Sequence, residues 1–115
     1  MGIIRRTVTL IGLHVRRRVN ALFDSGSSAS LVREDLARTL GGFEELKDPA
    51  TFEAAAGTFT VEHEASFRLV YRCDPRWILA YVVPDLTEEF ILGADAMQRL
   101  GVILDPPRHR VRALE

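Results

Sequence analysis

Asp24-Ser25-Gly26 follows the apolar run Ala21-Leu22-Phe23 and precedes Ser27-Ser28-Ala29-Ser30. A carboxylate at the end of an apolar segment carries a desolvation penalty unless the loop after it supplies hydrogen bonds. Ser-Gly-Ser-Ser can supply them, through hydroxyls and through a glycine that lets the backbone come close. A carboxyl held this way can take or give a proton in amide hydrolysis, but that chemistry needs a base and an acid together. The triplet occurs once in the chain. The second carboxyl is therefore expected from a second copy of the chain.

A second constellation is Phe90-Ile91-Leu92-Gly93-Ala94-Asp95, two large apolar residues running into a glycine and a helix start. Asp95 at that start suits an N-terminal dipole or capping role, and Asp105 before Pro106 suits a turn. His14, His63 and His109 lack ligand-like spacing, so no metal site is expected. Cys73 is the single cysteine, which rules out an internal disulfide and fits a reducing compartment. Trp77 and Tyr81 are expected in the core or a pocket wall rather than as a stacking platform for bases.

The elements that must position these residues read mostly as short strands. Thr7 to Ile11 is rich in β-branched residues and is interrupted by Gly12, and Val19 to Phe23 is the strand that ends at Asp24. Arg16-Arg17-Arg18 is placed at the hairpin tip between them, as a solvated face or turn. Leu31, Val32, Leu36, Ala37 and Leu40 have helical spacing, and Gly41-Gly42 would stop that helix. Phe52 to Val61 forms a hairpin around the small-residue tip Ala54-Ala55-Ala56-Gly57. Ala65, Phe67, Leu69 and Tyr71 alternate along a half-buried strand. The segment around Cys73 reads as a strand end and turn, and Trp77 to Val83 as the next strand. Phe90 to Leu92 precedes a helix over Ala94 to Leu100, and a last hairpin turns at Asp105-Pro106-Pro107. The fold class is all-β with one or two short helices, in a single domain over residues 1–115.

Composition sets bounds on function. Hydrophobic residues make up 47% and charged residues 27% of the 115, the balance of a folded globular domain rather than a disordered chain. A net charge of −1 gives no overall pull toward nucleic acid, which is not expected as a partner; binding through the arginine cluster is the rival reading that a steep salt dependence would support. No apolar stretch approaches membrane-spanning length, and the N-terminus lacks the apolar core of a signal peptide. A cytoplasmic protein is expected.

Three stretches in order, Ala21 to Ser27, Ile91 to Met97 and Leu100 to Asp105, make the chain resemble the retropepsin-like aspartic proteases, the single-domain relatives of pepsin. The resemblance covers Thr7 to Arg112. It implies a closed β-barrel that works as a homodimer on peptide or protein substrates, with the two Asp24 carboxyls facing each other across a twofold axis. Like charges so close do not both ionise readily, so the pair would share one proton. One carboxylate would activate water while the other protonates the peptide carbonyl, a mechanism that requires no metal or organic cofactor. The resemblance assigns Ser25 to a contact across the interface, Gly26 to main-chain hydrogen bonds with the dyad or substrate, and Ser27, Ile91, Leu92 and Gly93 to support. It also makes the hairpin tip Ala54, Ala55, Ala56 and Gly57 a flap that closes over the peptide. Leu22, Val82 and Ile91 are its expected pocket-lining residues. The same fold kept as a non-catalytic dimerisation or peptide-binding module is the alternative.

The chain departs from the best-known viral members at two places. They follow the catalytic triplet with Ala-Asp-Asp and place Arg after the second glycine, an acid–base pair that braces the dimer. Here those places hold Ser27-Ser28-Ala29 and Ala94. Both halves of the pair are absent together, as in a different subfamily rather than a damaged site. Ile3-Ile4 and Val111 to Leu114 are the candidates for terminal strands at a dimer interface.

Overall fold

Burial alternates along the chain from its first strand. In β1 (Ile3–Ile11), Ile4, Val8 and Leu10 enter the core while Arg5 and Thr7 face out; in β2 (Arg16–Asp24), Val19, Ala21 and Phe23 enter it. That period of two is the signature of a strand with one buried face. The structure, a computed structural model, describes residues 3–54, 57–72 and 74–114. The remaining elements are β3 (Ser30–Arg33), α1 (Glu34–Leu40), β4 (Glu44–Ala54), β5 (Gly57–Val70), β6 (Arg76–Val83), β7 (Phe90–Leu92), α2 (Ala94–Leu100), β8 (Val102–Asp105), a 3-10 turn at Pro106–Arg108, and β9 (Arg110–Ala113).

Seven strands form one sheet in the order β1-β2-β7-β3-β6-β5-β4, and β1 also pairs with β5. The second pairing closes six of them into a ring, with β4 left as an arm along β5. Closure removes most of the exposed edges an open sheet would carry. The expected closed, mainly β architecture with two short helices is what the chain adopts. The main core fills the ring and includes Phe23, Phe67, Leu69, Ile78, Phe90 and Leu92. Phe67 and Phe90 meet edge-on at 5.7 Å between ring centres, a favoured aromatic arrangement. A smaller cluster of Leu22, Leu31, Val61, Val83, Leu86 and Ile91 lies apart from it, packed against Ala50, Phe59 and Tyr81.

Three local expectations change. The β1–β2 pairing runs up to Ile11↔Arg16, so the turn occupies Gly12 to Val15 and the three arginines lie within β2. Gly12 packs on the end of α1, where a Cβ would overlap the Leu40 carbonyl. Leu31 and Val32 belong to β3 rather than to a helix, because they are buried between β7 and β6. Consecutive buried residues need a strand with both faces covered, and that requirement overrides the helical spacing. The helix begins only at Glu34, where Asp35 takes the Leu36 N–H at 2.8 Å. Arg33, hydrogen-bonded to Asp35, holds this carboxyl below its ordinary range. The hairpin expected over Phe52 to Val61 is the end of a much longer one. Its arms shift register between Glu45 and Ala50, around Pro49, which has no N–H to give the ladder. Of the two places expected for Trp77 it takes the pocket wall: it is 62% exposed on the outer face of β6 and lines a cleft there.

The rest of the β5 pattern is as read: Ala65, Phe67, Leu69 and Tyr71 are all buried. The last hairpin is present as β8 and β9, turned through the 3-10 residues after Asp105. Cys73, and with it the expected turn there, lies outside the described residues, as do Ala55 and Ala56. No helix among the described residues is long and apolar enough to cross a membrane.

Candidate functional site

The site follows from one topological fact. Strands β2 and β3 are consecutive in sequence but are not neighbours in the sheet, because β7 is inserted between them. β7 runs parallel to β2, with Ala21↔Phe90 and Phe23↔Leu92 in register, and antiparallel to β3. The loop from Ser25 to Ala29 must therefore pass over the end of β7, where Gly93 emerges. This brings the two sequence motifs together.

Asp24 is the last residue of β2 and has 0% exposure within its own chain. Its Oδ1 accepts the Gly26 N–H at 2.9 Å, and its carbonyl accepts the Ser27 N–H at 3.2 Å. In the serine–glycine loop it is the Gly26 backbone N–H that holds the carboxylate. Ser25 and Gly26 are exposed at the bend, whereas Ser27 is fully buried. Ser27 Oγ donates to the Ala29 carbonyl at 2.6 Å, and its own carbonyl accepts the Ala94 N–H at 2.8 Å. Ser27 and Ala94 stand in the two regions where the viral pattern has its acid and its arginine. In this chain a backbone hydrogen bond joins those regions.

Gly93 explains why the approach is so close. A Cβ there would overlap the Ala29 carbonyl and sit 2.8 Å from the Ser27 oxygen. Ile91 and Leu92, the other expected supports, are both fully buried. They face opposite ways, Ile91 into the smaller cluster and Leu92 into the main core. Among the expected pocket residues, Leu22 joins Ile91 in that smaller cluster, next to Val61 and Phe59 of the long hairpin. Val82 does not, because it packs in the main core. At the hairpin tip, Ala54 pairs with Gly57; the two alanines between them are the ones not described.

Sequence reasoning missed Ser30. Its buried Oγ accepts the Gly93 N–H at 3.0 Å and donates to Asp95 Oδ1 at 2.8 Å, and Asp95 also takes the Ala96 N–H at 2.6 Å. One hydroxyl thus ties the start of β3 to the start of α2, and Asp95 has the helix-start role expected of it. A serine directly before the apolar pair Leu31-Val32 was the available signal. Replacing Ser30 by alanine should leave the Gly93 N–H without its acceptor and cost about 2 kcal/mol. Urea unfolding would read this as a lower midpoint at unchanged slope.

An apolar hollow of about 450 Å³ opens beside Ser25, walled by Met97, Val102 and Leu104 and edged by Ile103 and Leu114. Ile103 is 42% and Leu114 53% exposed. The two candidate terminal strands are both paired within the subunit: Ile3 lies opposite Asp24 in β1, and Val111 lies in β9 against β8. No group of three metal-ligating side chains occurs among the described residues.

No family sequence model matches the chain, and no curated protein matches its sequence. Its shape does have counterparts among solved structures. The retroviral protease-like domain of Ddi1 from Leishmania major superposes with a TM-score of 0.67 at 15% identity, covering 98% of this chain and 85% of that one. EIAV protease, solved with the inhibitor HBY-793, also gives 0.67, at 19% identity over 90% of this chain and 93% of that one. The fold is retropepsin-like.

Proposed function

From that fold, we propose that the chain is an aspartic endopeptidase that cleaves extended peptide segments as a homodimer, with one Asp24 from each subunit. The observation that carries this reading is the Asp24 carboxyl itself. It sits at a strand end, hydrogen-bonded by the Gly26 N–H and buttressed through Ser27 and Gly93. Two such groups brought together would share a proton, since double ionisation at short range is unfavourable. The ionised member takes a proton from water as it attacks the peptide carbonyl. The protonated member gives its proton to the carbonyl oxygen, and the leaving nitrogen is protonated as the tetrahedral intermediate collapses. Gly26 supplies a main-chain donor or acceptor at the dyad, and Ser25 reaches the partner.

The hollow beside Ser25, with exposed Ile103 and Leu114 at its edge, supports a second copy as the partner. The smaller apolar cluster below the long hairpin, with Leu22 and Ile91, offers a wall for apolar side chains of a bound strand. The hairpin tip, including Ala55 and Ala56, acts as the cover. The test is incubation with a diverse peptide library from acidic to neutral pH, read by mass spectrometry. Cleavage between apolar residues, blocked by a hydroxyethylene transition-state mimic, is expected. A site built from two subunits also makes activity per subunit fall on dilution, with the initial rate going as the square of protein concentration below the dimer Kd. A strictly linear dependence down to the monomeric range would contradict a shared site.

One observation favours a second reading, a non-catalytic peptide-binding or dimerisation module. Asp24 has no exposure even within the single chain, whereas a working carboxyl must meet water and substrate. On that reading the library yields bound peptides and no cleavage products.

A further inference from the structure

The barrel carries a second surface that the proposed hydrolysis does not use. Strand register aligns Arg16, Ile11, Arg68 and Trp77 in one row across β2, β1, β5 and β6. The next row on the same face holds Arg18, Thr9 and Val70. The side chains of both rows point outward, since the residues alternating with them, Val19, Leu10, Leu69 and Ile78, are buried. At about 4.8 Å per strand step, the first row spans roughly 14 Å. Asp24 lies six residues beyond Arg18 on the same strand, about 20 Å away at 3.3 Å per residue.

Arg16, Arg18 and Arg68 are the charged members of these rows, all exposed, and none forms an ion pair among the described residues. The acids of the neighbouring strands lie toward the hairpin arm, at Glu44, Glu45, Glu53 and Glu62, with Glu64 on the outward side of β5 four residues from Arg68. The net charge of −1 thus averages over two oppositely charged regions. Trp77 ends the first row, beside Arg68, with 62% of its surface exposed and the Arg68 guanidinium 6.0 Å from its ring centre. It lines a cleft of about 600 Å³ together with Ile11, Leu13, Phe43, Glu44 and Glu64.

We propose that this outer face binds single-stranded nucleic acid, at a site separate from Asp24. An exposed indole among unpaired arginines fits a chain of phosphates that also offers flat bases: the arginines take the phosphates and Trp77 takes a base. A strand of unpaired bases suits the face better than a duplex, whose bases are already stacked. An acidic polypeptide would satisfy the arginines but give the indole no flat partner. The site is independent of the hydrolytic reading, and its test does not measure cleavage.

Trp77 is the chain's single tryptophan, so its emission reports the site directly. Titrating the full chain with a 20-nucleotide oligo(dT) should quench that emission saturably. With three phosphates neutralised, the slope of log K against log salt should be about −2, a loss of affinity on the order of 20-fold between 50 and 200 mM. The double substitution Arg16→Glu, Arg18→Glu should weaken binding at least tenfold and flatten the slope. Trp77→Ala, followed by anisotropy of a labelled oligonucleotide, should weaken it roughly 5- to 150-fold, as for one lost base stack. These side chains are exposed, so melting temperatures matching the parent would attribute the losses to the surface. Asp24→Asn should bind as the parent does. The proposal is overturned by absence of quenching at 50 mM salt, by unchanged affinity in either surface variant, or by loss of binding in Asp24→Asn. Equal affinity for poly-glutamate would overturn it too, and would assign the face to an acidic protein.

Discussion

Replacement of Asp24 by asparagine is expected to lower kcat/KM for peptide cleavage by at least ~10³-fold, in line with the loss of a positioned acid–base group, while the fold survives. The side chain keeps its shape, and an asparagine Oδ1 can still accept the Gly26 N–H that Asp24 Oδ1 accepts at 2.9 Å. An amide is also no harder to bury than a carboxyl at a position with 0% exposure. What it lacks is the ability to exchange a proton, and the substitution removes that from both halves of a symmetric pair. Sedimentation and thermal melting should therefore match the parent while cleavage disappears. Undiminished cleavage by the variant would place the chemistry elsewhere in the molecule.

Gly93→Ala should be the most damaging single-methyl change in the site. Its φ of −90° is open to any residue, so the penalty is purely steric. The new methyl would overlap the Ala29 carbonyl and crowd the Ser27 oxygen, both backbone atoms of a loop that cannot swing aside like a side chain. Relief requires lifting the loop, which strains the Ala94-to-Ser27 hydrogen bond and moves Asp24 with it. Overpacking of this kind costs about 3 kcal/mol, and a domain of this size should then melt about 15 °C lower. Activity should fall even below the new melting transition, since the carboxyl is no longer held in place. A melting temperature within 2–3 °C of the parent would mean that the loop is softer than this geometry implies.

Much of the site was legible because the chemistry is local. A strand that ends in a carboxylate and a serine–glycine bend draws its first hydrogen bond from the next few residues, and those residues are adjacent in the chain. The β5 alternation was legible for the same reason: a strand with one wet face writes its period directly into the sequence. Leu31 and Val32 were misplaced because helical spacing and a doubly buried strand look alike over a few residues. What separates them is the presence of β7 and β6 on either side, which no local pattern reveals. Ser30 was missed because its partners, Gly93 and Asp95, are more than sixty residues away.

The sequence alone determined the mainly β character, the acid at the end of β2 and the glycine that must approach it, because each rests on neighbouring residues or on a short period. Only the tertiary structure decided that β7 enters between β2 and β3, that Ser27 is joined to Ala94, and that Arg16, Arg68 and Trp77 share a row. Register between distant strands sets all three, and register comes from the burial of whole faces against one another. Net charge and spacing are sums over the chain; a surface is made only when the sheet closes.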